Sequence, residues 1–205
     1  IFEFLKRKEN LQTALEIGGH LNSFKESIVK EFLCKLKEKL ESSPPKPKFL
    51  SEKKYTFTIR NRLSKKDLRW DHICLDNDKS QKQKLFYCVE FGWSLSVCWL
   101  DVGIFFKEDL EQVFTKDPVR DWPSFKEIEK RLQEIEGFHF DANSALGYRY
   151  VPDDLEEKDI SKFILNYLEE PEALLSEVAL AFWSMVEKTQ DLMDAANQAL
   201  EKYEP

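Results

Sequence analysis

The densest run of side chains able to do chemistry lies between residues 46 and 69. There Lys46, Lys48, Lys53, Lys54, Arg60, Arg62, Lys65, Lys66 and Arg69 stand against only Glu52 and Asp67. Tyr55, Phe57 and Trp70 interleave rings with that charge. Basic side chains on a strand pair neutralise phosphates, and exposed rings stack on unpaired bases. Lys53, Lys54, Arg60, Arg62, Lys65, Lys66, Arg69 and Trp70 are therefore the candidate nucleic-acid-binding residues. The competing reading is an edge strand and hairpin loop kept from aggregating by lysine. Tyr55 and Phe57 alternate with Thr56 and Thr58, so one face of that strand belongs to a core.

Other chemistry is harder to assemble. Metal-dependent nucleases converge two or three carboxylates on a cation, commonly with a lysine beside one of them. Asp71, Asp76, Asp78 and Glu90 are the candidates, but Glu90 is followed by Phe91-Gly92 and lacks a lysine two positions on. Acidic residues at strand ends more commonly form turns. An EF-hand reading of Asp76-Asn77-Asp78 fails, because Gln81 stands where glycine is required and Tyr87 where glutamate is required. His20, His72 and His139 are isolated, and no serine or cysteine nucleophile sits on a recognisable strained turn. A pocket joining Asp71, His72 and Glu90 would be the mark of an enzyme. Six glycines form neither a dinucleotide fingerprint nor a phosphate-binding loop. No catalytic or metal-ligating residue, and no cofactor, is assigned to this segment.

Cys34, Cys74, Cys88 and Cys98 are widely spaced, without the close pairs that zinc sites use. They read as reduced cysteines serving as small apolar residues, which implies a cytoplasmic protein. No apolar run approaches the roughly 18 residues of a membrane span, and no secretory leader is present. The net charge of −7 conceals an asymmetry. Residues 1–84 carry 20 Lys/Arg and 12 Asp/Glu, whereas residues 85–205 carry 11 and 26. Such a split suggests one side facing a polyanion and an opposite acidic face.

These residues must be positioned by a mixture of helices and strands. Residues 1–17 read as the tail of a helix stopped by Gly18-Gly19, and Ile1 already lies in that pattern, so the chain reads as a segment of a longer protein. Ser23 and Glu26 offer a capping box for a second helix with a stripe at Phe24, Ile28, Phe32, Leu36 and Leu40. The prolines of 44–47 end it. The expected organisation is thus a helical segment at 1–43, continuing from an upstream domain, and an α+β domain at 48–205.

Period-two patterns predict strands at Tyr55–Ile59, Asp71–Leu75, Leu85–Phe91 and Leu95–Leu100. Their links are too short for crossover helices, which predicts an antiparallel meander. A helix is expected from Phe106 to Lys116. Another, with a capping box at Ser124 and Glu127, carries Phe125, Ile128, Leu132 and Ile135 and stops at Gly137. Gly137–Phe140 and Tyr148–Tyr150 read as short edge strands. A helix at about 159–169 precedes a long one opening at Pro171, a residue suited to the first helical position. The fold class is α+β: an antiparallel meander sheet packed by helices and preceded by a helical hairpin.

The order of elements resembles the region that follows the nuclease core in a bacterial and archaeal group of the PD-(D/E)XK nuclease superfamily. The residues carrying the resemblance are Ile1-Phe2-Glu3-Phe4-Leu5, the Phe24–Leu40 helix, Lys54-Tyr55-Thr56-Phe57, the Trp93–Leu100 strand, Gly147-Tyr148-Arg149-Tyr150 and the helix from Pro171. The resemblance implies that the catalytic carboxylates, and the Mg they would bind, belong upstream of Ile1. This segment would then be a non-catalytic accessory domain that contacts DNA or senses a target in phage defence. The alternative expectation is a protein-interaction or self-association module that uses Phe182 and Met185 of the final helix and the acidic half.

Overall fold

The computed structural model describes residues 8–42, 55–63, 69–77, 85–94, 96–106, 122–139, 145–152 and 158–201. In chain order the elements are α1 (Lys8–Ser42), β1 (Tyr55–Leu63), β2 (Arg69–Asn77), β3 (Leu85–Trp93), β4 (Val97–Phe106), α2 (Pro123–Gln133), β5 (Ala145–Tyr150), β6 (Lys158–Asp159), α3 (Ile160–Glu169) and α4 (Pro171–Glu201). Strands β1 to β5 form an antiparallel meander in sequence order, and the two-residue β6 pairs with the start of β4. The α+β class and the meander agree with the sequence reading.

Alternation along β3 shows how the sheet divides its side chains. Leu85, Tyr87, Val89, Phe91 and Trp93 enter the main core, and Phe86 and Cys88 do not. In β4 the core takes Cys98, Leu100, Val102, Ile104 and Phe106. The buried apolar side chains of all four helices join this one core, so the helices share one face of the sheet. Phe32 of α1 is fully buried and touches Phe91 of β3, Phe163 and Tyr167 of α3, with ring centroids 5.1–5.8 Å apart. Helix α4 adds polar ties to β3. The Tyr87 hydroxyl donates to Thr189 Oγ1 at 2.9 Å, and the Leu85 amide donates to Asn197 Oδ1 at 2.9 Å.

Several local expectations are corrected. Gly18-Gly19 does not stop a helix: α1 runs unbroken through it, so one long helix replaces the expected hairpin. A helical glycine costs about 1 kcal/mol and does not forbid the conformation. The Ser23/Glu26 capping box therefore falls inside α1, and Phe24 is 49% exposed, so the buried stripe begins at Ile28. In α2 the cap is Trp122, with Pro123 in the first turn and no side-chain cap, so the Ser124/Glu127 box is unused. Phe125, Ile128 and Leu132 are buried as expected, and Gly137 follows with a positive φ of 83°.

Strand β4 reaches Phe106, beyond the expected end at Leu100. The expected helix from Phe106 to Lys116 loses its first residue to β4, and its remainder lies outside the described residues. Phe182 and Met185, expected as a partner face, are fully buried in the core. Helix α3 opens where expected, with Asp159 accepting from the Ser161 amide at 2.7 Å. That bond holds the Asp159 carboxyl below its ordinary range. Among the described residues no helix is long and apolar enough to cross a membrane.

Candidate functional site

With the helices on one side, the second face of the sheet is free of them among the described residues. The strand register builds this face in rows. Arg60 lies opposite His72, His72 opposite Glu90, Glu90 opposite Asp101, and Asp101 opposite Tyr150, so one row of functional side chains crosses five strands. The row on one side is Trp70, Gly92 and Trp99. The row on the other is Thr58, Cys74, Cys88, Gly103 and Tyr148.

Within the central row, His72 Nε2 sits 3.3 Å from Glu90 Oε2. Asp101 is only 7% exposed, and its Oδ1 is shut away from solvent without a hydrogen-bond partner. Burial, and then the charge of Glu90, hold the Asp101 carboxyl well above the usual carboxylate range. Unpaired buried carboxylates are costly, so an apolar strand seldom carries one without a use for it.

Rings flank this row. Trp70 and Trp99 stack at 5.8 Å with 14° between their planes. The stack depends on Gly92, because a Cβ there would lie 2.5 Å from Trp70 Cζ3. At the other edge Tyr148 and Tyr150 meet edge to face at 5.4 Å, and His139 lies within 6.0 Å of both rings. Trp70, Trp99, Tyr148 and Tyr150 are all half-buried.

Other described groups on this face pair with one another. Asp76 accepts from Thr58 and forms an ion pair with Arg60, whose guanidinium lies 4.7 Å from the Phe86 ring centre. Cys74 and Cys88 oppose each other across β2 and β3, 4.3 Å apart at Cα, and form a disulfide. The expectation of four reduced cysteines is corrected for this pair; Cys34 and Cys98 are free thiols. Strand register creates this pairing, and a 14-residue separation does not reveal it. Burial pushes the Cys98 thiol up to about 12, with Asp159 adding to the shift.

The described members of the predicted nucleic-acid set are divided between the two faces of the sheet. Lys53, Lys54, Lys65 and Lys66 lie outside the described residues. Arg60 and Trp70 belong to the open face, and Arg62 pairs with Trp70 in the backbone register. Arg69 belongs to the helix face, where it meets Glu26 at 2.8 Å and lies 5.1 Å from the Trp93 ring centre. Of the predicted acids, Asp71 also turns to the helix face and accepts from Trp93 Nε1 at 2.8 Å. It is thereby separated from His72 and Glu90, and the pocket that would join the three does not form. Asp78 lies outside the described residues. Among the described residues no group of three or more His, Cys, Asp and Glu side chains can hold a metal ion.

Asp101 escaped the sequence reading because β4 was expected to end one residue before it. The signal was nonetheless present. From Cys98 to Phe106 every second residue is an apolar core residue, with Trp, Asp, Gly and Phe between them. A carboxylate in the middle of such a period-two run must face whatever the core does not.

No protein-family profile matches the chain, and no curated protein or solved structure matches it significantly.

Proposed function

We propose that this chain is a non-catalytic recognition module that binds a basic segment of a protein partner on the face of its sheet opposite the helices. The observation carrying this reading is the Glu90–Asp101 carboxylate pair, with Asp101 Oδ1 buried without a hydrogen-bond partner, set among partly buried aromatic residues. Carboxylates in a poorly solvated setting attract cations and repel phosphates, and aromatic faces attract cations as well. Protein interaction was the alternative expectation from the sequence. Its location now moves from the final helix, whose Phe182 and Met185 are buried, to the sheet. The reading also suits the accessory role that the nuclease resemblance implies.

Single-stranded nucleic acid is the second reading, favoured by the Trp70–Trp99 stack. Against it, Arg60 and Arg69 are already ion-paired, and Asp76, Glu90 and Asp101 place three carboxylates on the same face.

The test is a fluorescence titration of the full chain with a lysine/arginine-rich peptide, an acidic peptide of equal length and an oligothymidylate, each across a salt series. The expected result is selective, salt-sensitive binding of the basic peptide. Trp99→Ala should weaken it at least tenfold, and Glu129→Gln on the helix side should leave it unchanged. Preference for the oligonucleotide would transfer the face to the nucleic-acid reading.

A further inference from the structure

The Cys74–Cys88 disulfide joins two strands that backbone hydrogen bonds already hold together. Strand β2 pairs with β1 along its whole length and with β3 from Arg69 to Leu75, and β3 pairs with β4 throughout. The two Cα atoms lie 4.3 Å apart, close to the roughly 4.5 Å that an antiparallel non-hydrogen-bonded pair adopts without any crosslink. Breaking the bond therefore asks for no movement of the backbone. It does ask for room, because the two sulfurs must part from bonding distance to van der Waals contact.

The surroundings of the pair say where that room comes from. Cys74 and Cys88 form a small apolar cluster with Phe86 and Phe105, separate from the main core. Gly103 lies opposite Cys88 in register, and a Cβ at Gly103 would meet the Phe105 ring at 2.7 Å. The Phe105 ring thus lies across Gly103, beside the disulfide. It is half-buried, whereas Phe86 is buried and has the Arg60 guanidinium over its ring. Phe105 is the less tightly held of the two rings.

We infer that Cys74–Cys88 is a reversible redox switch, opened by a dithiol reductant beneath the Phe105 ring and read out as a rearrangement of that ring on an otherwise unchanged sheet. One thiolate of the reductant attacks Cys88 Sγ, the bond between the two sulfurs breaks, and Cys74 leaves as a thiolate that takes up a proton. The second thiol of the reductant then attacks the mixed disulfide, releasing Cys88 as a thiol and leaving the reductant as a cyclic disulfide. The protein gains two electrons and two protons, and the reductant loses the same. Reduction also removes a closed loop from the unfolded chain, so the reduced form resists urea less well.

The test uses the full chain carrying Cys34→Ser, which removes the exposed thiol that would otherwise join the exchange. Dithiothreitol is added without denaturant, and alkylation of acid-quenched, unfolded samples followed by mass spectrometry counts the thiols. The count should rise from one, Cys98, to three, and should return to one with oxidised glutathione. On reduction far-ultraviolet circular dichroism should not change, amide NMR shifts should centre on Gly103 and Phe105, and the urea midpoint should fall. Phe105→Ala should be reduced at least tenfold faster than its parent, with Phe105→Leu between them. Reduction only after urea has unfolded the chain would make the disulfide a structural crosslink and overturn the switch. Loss of the folded spectrum on reduction would overturn it too, as would a count of three that oxidised glutathione leaves unchanged. Equal rates in the parent and both Phe105 variants would overturn the role given to the ring. None of these outcomes depends on a basic partner.

Discussion

At the scale of single residues, Asp101 makes the stability of the fold depend on pH. In an unfolded chain its carboxyl titrates near the ordinary value of about 3.9. In the folded chain burial and Glu90 raise it well above that. Between those two values the folded state binds more protons than the unfolded state. The stability associated with protonated Asp101 is therefore full below the unfolded value and lost as pH rises through the folded one. Asp101→Asn removes the ionisation. It should be more stable than wild type at pH 8 by roughly 1–3 kcal/mol, with the advantage shrinking toward pH 4. Urea denaturation of both proteins at the two pH values checks this; an advantage independent of pH would contradict it. The position was hidden in the sequence because a lone aspartate before Val102-Gly103 looks like a turn. Arg60 and Trp70, in contrast, were identified from their type alone. Their assignment to one face, and that of Arg69 to the other, needed the register.

At the scale of elements, the site depends on close packing between strands. Gly92 allows Trp70 to cross β3 and reach Trp99. Gly92→Ala should force the Trp70 ring aside at a cost of about 1–3 kcal/mol, as overpacked positions do. Near-ultraviolet circular dichroism should change, and affinity for a basic peptide should fall with it; an unaltered tryptophan signal would exclude the stacked arrangement. Periodicity located β1 to β3, α3 and α4 well, because apolar spacing is a long-range signal averaged over many residues. Termini were read less well. The Gly18-Gly19 pair and both capping boxes are local signals; α1 runs on through the glycines and the first box, and Pro123 in the first turn of α2 supersedes the second.

At the scale of the whole molecule, one core joins the sheet to all four helices. Phe32 is where α1, β3 and α3 meet, fully buried among Phe91, Phe163 and Tyr167. Phe32→Ala should cost about 3–5 kcal/mol in chemical denaturation, in a single transition reported alike by circular dichroism and tryptophan fluorescence. Two separated transitions would show that α1 folds apart from the sheet. The α+β class was legible because helical and strand periodicities occupy separate stretches of the chain. The division of the sheet into a helix-covered and an open face was not, since both sets of β3 residues are largely apolar. Hydropathy alone does not distinguish the residues packing beneath helices from those lining the opposite surface.

The division has an evolutionary consequence. Along β3, residues 85, 87, 89, 91 and 93 serve the main core, and residues 86, 88, 90 and 92 serve the opposite face. Selection can therefore act on the two sets almost independently. Descendants of this chain that changed only the second set, at positions such as His72, Glu90, Trp99 and Asp101, would inherit the same scaffold with a different ligand preference.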